Sequence, residues 1–446
     1  MAAMAAIAQL AADGVLALVG TVVNPAGLIH AKMVPLAKSA AFVQPGLGAS
    51  PVWHVFAIDQ LGVVTGDAIG VVGDLRVRID PDAVRVLGDG LAWAPGNFFH
   101  QDGSPDPLCS RGTLHRVQQR LTAAGFEALV GHEIEFVLVG PDGARLPSTL
   151  WAQYGVAGVL EHEGFVRDVI EAAAASGIVL EQLHPEYGAN QFEISLAPLA
   201  PVAAADQLVA MRIVIGRVAR KYGVRACLSP VPFAGSVGSG AHQHLSLIAD
   251  GEPTFSGGTG PRGMTPAGAS AIAGLLAGLP AAQGVLSGSI LSGLRMRPGL
   301  WSGAHVCWGT ENREAAMRFV AGGDANPHGA NVEVKAVDPS ANPYFATAAI
   351  LGLALDGIER DLSLPPEVTV NPSLLSAAER EAVGMTALPS DQIEVIDALA
   401  GSELVRGILG SSAVDAIVAV RRYEHDTYAD LTDDELTARF RMSWSV

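Results

Sequence analysis

Residues 131–140 read GHEIEFVLVG, an apolar run interrupted by two glutamates, Glu133 and Glu135. Because side chains alternate across a β-strand, both carboxylates lie on one face of the predicted strand, and Ile134 and Phe136 lie on the other. The apolar flanks predict that the strand is buried. Two adjacent buried anions repel each other and lose hydration, so they need either protonation or a cation between them.

The same pattern recurs in three more segments. These are HPEYGANQFEISL with Glu186 in a turn and Glu193 in a strand, AHQHLSL with His242 and His244, and NVEVKAV with Glu333 and Lys335. A solvated strand face explains any one of them equally well. Four strands with such groups on one face favour a shared site instead. Carboxylates with an imidazole and no thiolate are typical of Mg²⁺ or Mn²⁺ sites, and this many negative charges predicts two or more cations.

Multi-cation carboxylate clusters typically hold polyphosphate oxygens during phosphoryl transfer, and such a site also needs fixed positive charge. The segment ENREAAMRFV supplies Arg313 and Arg318, and LRMRPG supplies Arg295 and Arg297. Arginines between Gly-rich turns suit carboxylate or phosphate oxygens, with ordinary surface arginine as the alternative. The sequence contains no GxxxxGK[ST] loop and no GxGxxG after a strand, so neither a P-loop nor a Rossmann site is predicted.

Composition narrows the function classes. The 446 residues include 28 Lys and Arg against 45 Asp and Glu, for a formal net charge of −17. This balance argues against a nucleic-acid partner and favours cations, metals or amines, although solubility alone also explains it. Only 16% of residues are charged, which predicts surface hidden in subunit interfaces and therefore a homo-oligomer. The unclustered Cys109, Cys227 and Cys307 make neither a disulfide framework nor a zinc site, so the expected compartment is the cytoplasm.

The chain divides into two styles of sequence. Up to residue 105, short runs such as GVLALVGTVV, PVWHVFAID and DLRVRID predict a small sheet with an N-terminal helix. Beyond it, helical and strand-like segments alternate. The turn-rich NFFHQDGSPDPLCSRG is the candidate boundary. We therefore predict an α+β fold with two domains, residues 1–105 and 106–446.

One stretch, residues 263–294, carries no charge and is long enough to span a membrane. Its Gly, Ala and Ser content and its interruption by Pro266, Pro280 and Gln283 favour a buried helix pair around LPAAQG instead. The apolar N-terminus lacks the basic start of a secretory signal. We therefore expect neither a membrane span nor secretion.

At these motifs the chain resembles the glutamine synthetase family. The resembling segments, in the family's order, are GHEIEF, HPEYGANQFEI, GSGAHQHLSL, NREAAMR and VEVKAVDPSANPY. They span about residues 130–345. The resemblance implies a small N-terminal β-grasp-like domain and a large catalytic domain with a curved antiparallel sheet and helices. It also implies a ring of subunits, usually a dodecamer, with each active site shared between two of them.

The resemblance implies roles for individual side chains. The implied metal ligands, in two groups of three, are Glu135, Glu186 and Glu193, then Glu133, His242 and Glu333. The implied ATP contacts are His244, Ser246, Arg313 and Arg318, with Arg313 also catalytic. The implied glutamate contacts are Arg295 and Lys335, with Gly238 lining the pocket. ATP would phosphorylate the γ-carboxylate of glutamate, and an amine would then displace phosphate.

Departures from the family bear on the amine. The family's segment R-x-x-P-G-x-E ends in the Glu that binds and deprotonates ammonium, whereas this chain reads RMRPGLW, with Trp301 there. A loop Asp that attracts ammonium falls at or near Pro45. Because ammonia is almost wholly NH₄⁺ at neutral pH, loss of both carboxylates predicts poor ammonia use. A Trp face can hold an alkylammonium chain, so Trp301 is a candidate catalytic and substrate-binding residue, with simple packing as the alternative.

Three further positions depart from the family. Lys335 and Asn331 stand where arginines are usual, and Val237 stands at the glutamate-binding Asn. The sequence favours a ligase that makes a γ-glutamyl amide of putrescine, spermidine or spermine, which resembles the γ-glutamylpolyamine synthetase branch. Two alternatives stay open. One is a glutamine synthetase that uses ammonia, and the other is a non-catalytic nitrogen sensor that binds ATP and an amine.

Overall fold

The computed structural model describes residues 9–63, 69–148, 150–326 and 329–446. Its β-strands are β1 Ala17–Val23, β2 Ile29–Pro35, β3 Leu47–Ala49, β4 Leu75–Ile79, β5 Arg85–Gly88, β6 Leu91–Phe99, β7 Phe126–Val139, β8 Leu180–Pro185, β9 Gln191–Leu199, β10 Arg225–Cys227, β11 Gln243–Ala249, β12 Glu252–Pro253, β13 His305–Thr310, β14 Ala315–Val320, β15 Asn331–Val334 and β16 Thr386–Ala387.

The α-helices lie mostly after the sixth strand. They are α1 Ser39–Val43, α2 Ser110–Ala123, α3 Val156–Glu161, α4 Glu163–Ala175, α5 Pro201–Lys221, α6 Pro266–Leu286, α7 Ser292–Arg295, α8 Pro343–Glu359, α9 Ala377–Ala382, α10 Gln392–Ala400, α11 Glu403–Leu409, α12 Ser411–Tyr428 and α13 Asp433–Phe440. Short 3₁₀ helices span Leu36–Lys38, Pro51–Val55, Pro81–Ala83, Pro261–Gly263 and Pro372–Leu374.

The first sheet is built from β1 to β6, in the order β2-β1-β6-β4-β3 with β5 also paired to β6. Two of the predicted runs form β1 and β4. The prediction of a strand at PVWHVFAID is wrong, because Pro51–Val55 forms a 3₁₀ helix. Ser50 accepts a hydrogen bond from the backbone N–H of Val52 and so begins that helix, which offsets the β preference of its valines. The β-grasp description stays a prediction.

The second sheet runs β16-β13-β14-β15-β11-β7-β9-β8, with β10 beside β7 and β12 beside β11. Its pairs are antiparallel except that β13 and β14 are parallel. The predicted α+β class is confirmed. Both sheets fit the proposed division at residue 105, and the exact boundary stays a prediction.

One face of the second sheet is apolar. Ile134 and Phe136 of β7 and Phe192 of β9 are fully buried. The rings of Phe136 and Phe192 stack with their centroids 6.1 Å apart. Burying one such side chain contributes roughly 1.5–3 kcal/mol. This face therefore fixes the register that sends the intervening glutamates to the opposite side of the sheet.

Helix α6 corrects the predicted helix pair. Residues Pro266–Leu286 form one continuous helix with Pro280 inside it. It packs against α8 at Gly274 and Gly357, where a Cβ on Gly274 would lie 2.6 Å from the Gly357 Cα. Close packing thus offsets the loss of the backbone hydrogen bond that Pro280 cannot form. The helix is apolar and long enough to cross a membrane, but 78% of its most apolar window is buried inside the protein.

A buried charge network joins the two sheets. Arg111, at the start of α2, donates to both carboxylate oxygens of Asp206 on α5, each at 2.9 Å. It also donates to Asp80, which follows β4, at 2.8 Å. Tyr344 of α8 donates to the same Asp206 at 2.8 Å. One guanidinium therefore holds together elements from both parts of the chain.

Replacing Arg111 with methionine is expected to destabilise the protein. The change keeps most of the side-chain volume but leaves Asp206 buried without its cation, which costs about 3–5 kcal/mol. Urea-induced unfolding followed by circular dichroism measures the loss. Arg360→Met is the matched control, since Arg360 pairs with Asp356 on the surface at 3.0 Å and should cost only about 0–1 kcal/mol. Equal costs for the two variants would contradict the role of Arg111.

Candidate active site

The polar face of the second sheet gathers side chains from distant segments. The β7–β9 register places Glu135 directly opposite Glu193. The β11–β15 and β14–β15 registers place His244 opposite Glu333, and Glu333 opposite Arg318. The predicted site residues on these strands therefore converge, and pairing between neighbouring strands positions them.

One half of the site is an acidic group formed by Glu135, Glu186, Glu193 and His184. The His184 Nε2 lies 3.3 Å from Glu193 Oε1, and its Nδ1 lies 3.6 Å from Glu186 Oε1. Gln191 donates to Glu135 Oε2 at 2.9 Å. A Cβ on Gly240 would lie 2.7 Å from Glu135 Oε1, so only glycine leaves room for this carboxylate.

The carboxyls of the acidic group have too little positive charge nearby to balance their negative charge. Burial, together with the charges of Glu193 and Glu186, raises the pKa of Glu135 to about 8. Burial also raises the pKa of Glu193 to about 7, although its hydrogen bond with His184 opposes the shift. That hydrogen bond raises the pKa of His184 to about 9. The imidazolium of His184 lies against Glu186 and Glu193, and the charge of Arg295 only partly opposes the shift at Glu135. This oxygen-rich donor set fits a divalent cation.

The other half of the site is a balanced group formed by Glu133, Glu333, His242 and His244. His242 Nδ1 lies 2.9 Å from Glu133 Oε2 and 3.3 Å from Glu333 Oε1. His244 Nε2 lies 3.1 Å from Glu133 Oε1. Two carboxylates and two imidazoles therefore meet at one point of the sheet.

Fixed cations compensate the balanced group. Lys335 Nζ lies 3.0 Å from Glu333 Oε1, and Arg318 Nη1 lies 3.1 Å from Glu333 Oε2. Although burial opposes the shift, the charges of Lys335 and His242 lower the pKa of Glu333 to about 2. Hydrogen bonds from His242 and His244 likewise outweigh burial and hold the pKa of Glu133 well below its usual range. Both carboxylates are therefore ionised at neutral pH.

Among the described residues, three overlapping sets of ligand atoms lie close enough to hold metal ions. Within each set the atoms lie within 4.8 Å of one another, and the sets are Glu133, Glu193 and His242; Glu133, His244 and Glu333; and His184, Glu186 and Glu193. Glu135 lies outside all three. His184, which the sequence analysis missed, has the same two-residue spacing to Glu186 that links His242 to His244. The individual metal assignments stay predictions.

The predicted glutamate contacts border the balanced group. Arg295 is buried, and its Nη2 lies 3.2 Å from His242 Nε2 and donates to the Lys335 carbonyl at 3.2 Å. A Cβ on Gly238 would lie 2.8 Å from the Arg295 Cγ. Lys335 is engaged with Glu333, so a carboxylate ligand would have to share it. These three positions are close together, and their role in binding glutamate stays a prediction.

The predicted ATP contacts are more dispersed. His244 belongs to the balanced group, and Ser246 donates to the Ala330 carbonyl at 3.4 Å. Arg313 is exposed in the turn before β14. Burial and the charge of Glu186 raise the pKa of Tyr154, and the charge of Arg313 opposes that shift. Asn331 lies 2.8 Å from His244 Nδ1. An asparagine at this position therefore orients the imidazole, which an arginine could not do as an acceptor.

The two positions implicated in amine choice lie on loops. Trp301 is 48% exposed and has a backbone φ of +54°. Its loop lies between Arg295 and Lys335, since a Cβ on Gly303 would lie 2.7 Å from the Lys335 Cβ. Pro45 lies in the first sheet's half of the chain, where its carbonyl accepts a hydrogen bond from Arg78 at 3.0 Å. The loop that carries Trp301 therefore borders Lys335 within one subunit.

Comparison with known proteins agrees with this arrangement. Residues 107–438 match the family described as glutamine synthetase, catalytic domain. The chain is 38% identical over 444 residues to a gamma-glutamylpolyamine synthetase of Streptomyces coelicolor, covering 98% of this chain and 95% of that one. It is 31% identical over 361 residues to a glutamine synthetase of Pyrococcus abyssi, covering 80% of each. A crystal structure of a glutamine synthase homolog superimposes with a TM-score of 0.86 at 30% identity, covering 96% of this chain and 99% of that one.

Fold, site and comparisons together define a glutamate–amine ligase. The chain belongs to the glutamine synthetase family. The resemblance found in its motifs is therefore confirmed, and so is its curved, antiparallel-rich catalytic sheet.

Magnesium binding is expected to release protons and to weaken in acid. Because the pKa values of Glu135 and Glu193 are raised to about 8 and about 7, these carboxyls hold protons below that range, and a cation must displace them. Because both protons must leave, affinity should fall by roughly several hundred-fold from pH 8 to pH 6. Isothermal titration calorimetry in buffers of different ionisation enthalpy measures both quantities.

Two variants sharpen this measurement. Glu193→Gln should weaken Mg²⁺ binding and remove part of the proton release, since the amide neither titrates nor carries charge. Glu379→Gln changes an exposed carboxylate that caps α9 and should leave binding unchanged. Affinity that does not vary with pH, or no uptake of Mg²⁺, would refute the acidic group as a cation site.

Proposed function

We propose that this ligase joins the γ-carboxylate of glutamate to a primary amine of a polyamine, with putrescine, spermidine or spermine as the substrate class. The observation that carries the proposal is the half-exposed Trp301 on the loop that borders Lys335. It stands where the family's ammonium-binding glutamate is expected. The name of the Streptomyces coelicolor relative supports the same substrate class.

The proposed reaction has two steps. An oxygen of the glutamate γ-carboxylate attacks the terminal phosphorus of ATP, and ADP leaves. The amine nitrogen then attacks the γ-carbonyl carbon, loses a proton, and inorganic phosphate leaves. Arg295 and Lys335 would bind the α-carboxylate of glutamate, while Arg313 and Arg318 would bind phosphate oxygens.

The acidic and balanced groups would hold two or more Mg²⁺ or Mn²⁺ ions. Bound there, the cations would neutralise phosphate charge as it develops during phosphoryl transfer. The raised pKa values in the acidic group support this assignment, because carboxyls forced together without enough counter-charge bind a cation favourably. Glu133 and Glu193 each belong to two of the three ligand sets, so both would help to hold the cations.

Trp301 is proposed to favour long amines over ammonium. An indole face attracts an alkylammonium group by cation–π interaction and covers its methylene chain, whereas it offers NH₄⁺ no anion and no base. Pro45 supplies no carboxylate either. The protein is therefore proposed to use ammonia poorly. Separately, we propose that it acts in the cytoplasm and assembles as a ring of subunits.

A panel of amines tests the proposal against its alternatives. Phosphate release with glutamate, ATP and Mg²⁺ is expected with putrescine, spermidine or spermine, and to be much slower with ammonium. Ethanolamine serves as a short primary amine of lower charge. Turnover with ammonium alone would instead identify a glutamine synthetase. Binding of ATP and amines without phosphate release from any of them would identify a sensor.

Exchanging Trp301 for glutamate should change the amine preference. The added carboxylate can attract and deprotonate NH₄⁺, so kcat/KM should rise about tenfold or more with ammonium and fall with spermine. Leu300→Glu is the matched control, because Leu300 is 51% exposed on the same loop and gains the same charge one position away. If Trp301→Glu and Leu300→Glu gave the same profile, the assignment of Trp301 to the amine pocket would be wrong.

A further inference from the structure

The loop that carries Trp301 rests on a buried carboxylate. Glu314, immediately before β14, is only 5% exposed. Its Oε1 accepts the backbone N–H of Trp301 at 3.1 Å, and its Oε2 accepts that of Gly299 at 3.3 Å. Each oxygen of the carboxylate therefore holds one peptide of the same turn.

No ion pair neutralises Glu314 within the described parts of the chain. A buried carboxylate without a cation is costly to the folded state unless its hydrogen bonds are good. Here the compensating donors are the two loop amides. The backbone of Glu314 is also fixed. Its N–H donates to the side-chain oxygen of Asn312, and the Asn312 amide donates to the Val368 and Val370 carbonyls. Glu314 is thus a rigid support rather than a mobile surface acid.

The loop it supports is strained and exposed. Trp301 has a φ of +54°, a conformation that costs an L-residue roughly 1–2 kcal/mol. Leu300 and Trp301 are both about half exposed, so their own burial does not hold the turn. Ser302 closes the turn by donating to the Arg297 carbonyl at 3.1 Å. The hydrogen bonds that Glu314 accepts therefore fix the backbone of the turn that carries the indole.

The position of Glu314 also connects two parts of the site. It follows Arg313, the proposed phosphate contact, and it holds the turn that joins Arg295 to β13. We propose that Glu314 is a positioning residue for amine selection, which it exerts by fixing the turn from Arg297 to Ser302 so that Trp301 presents its face to the amine. This inference rests on the proposed polyamine ligase function. Because both oxygens already accept backbone hydrogen bonds, Glu314 is not assigned the role of the base.

Glu314→Gln tests the anchor directly. The amide keeps the size of the side chain but replaces one acceptor with a donor that opposes a loop N–H. Hydrogen exchange of the peptide covering residues 297–303, followed by mass spectrometry, should accelerate about tenfold or more in the intact enzyme. Unchanged exchange would overturn the anchor whatever the substrate proves to be.

Kinetics test whether the anchor acts through Trp301. In Glu314→Gln the KM for spermine should rise about tenfold, while kcat and the KM for glutamate change less than about threefold. In a Trp301→Ala background the same change should add little, because the side chain that Glu314 positions is already gone. A full tenfold effect in that background would assign Glu314 a merely structural role.

Glu367→Gln is the matched control. Glu367 also accepts a backbone N–H, that of Thr310 at the far end of β13, at 2.9 Å. It should leave the spermine KM and the exchange of residues 297–303 unchanged. If the wild-type enzyme turned over no polyamine, the proposed function would fail and amine selection by Glu314 would fail with it. If polyamines were substrates and Glu314→Gln kept the wild-type spermine KM, only the present inference would fail.

Discussion

Repulsion between buried carboxylates is the constraint around which this protein is organised. Glu135 and Glu193 face each other across two paired strands, an arrangement that is destabilising for like charges in a sheet. The apolar side chains on the reverse face of the same strands supply enough burial to hold the register against that repulsion. The unfavourable electrostatics that remain are relieved by a proton or by a cation, and this need is the basis of the proposed metal binding.

The two halves of the site handle charge differently. In the balanced group, imidazoles and the cations of Arg318 and Lys335 keep the carboxylates ionised without any metal. In the acidic group, His184 lies against Glu186 and Glu193, and the charge of Arg295 only partly offsets burial at Glu135. Strand pairing fixes the groups proposed for phosphoryl transfer, whereas amine choice is proposed to depend on a loop. A change of amine preference would therefore leave the polar face of the sheet undisturbed.

Much of this site follows from local sequence patterns. A two-residue spacing inside apolar runs predicted which face Glu133 and Glu135 share, because strand geometry alone determines it. The partners of those residues depend on register between distant strands, so sequence could not show that His244 lies against Glu133. His184 carried the right spacing to Glu186 and was missed. Glu314 had no recognisable signal, since its meaning comes from two backbone amides of a loop far from any periodic segment.

The errors in the fold have the same origin. Pro280 suggested a break in α6, yet the helix continues because glycines let it pack closely against α8. The valines of Pro51–Val55 suggested a strand, yet a serine cap and a proline begin a 3₁₀ turn there. In both places, packing or capping specific to this chain outweighed an average preference.

The order of the strands along the chain determines the order in which the two groups of the site are synthesised. The acidic group comes from β7, β9 and the end of β8, which are nearly consecutive along the chain. Glu333 of β15 is synthesised much later. At roughly 5–20 residues per second, it leaves the ribosome about 10–40 s after Glu133. During synthesis, the strands that carry the acidic group can therefore pair well before β15, which carries Glu333 of the balanced group, has been made. During that interval, protons or cellular magnesium are the available means of quenching the repulsion.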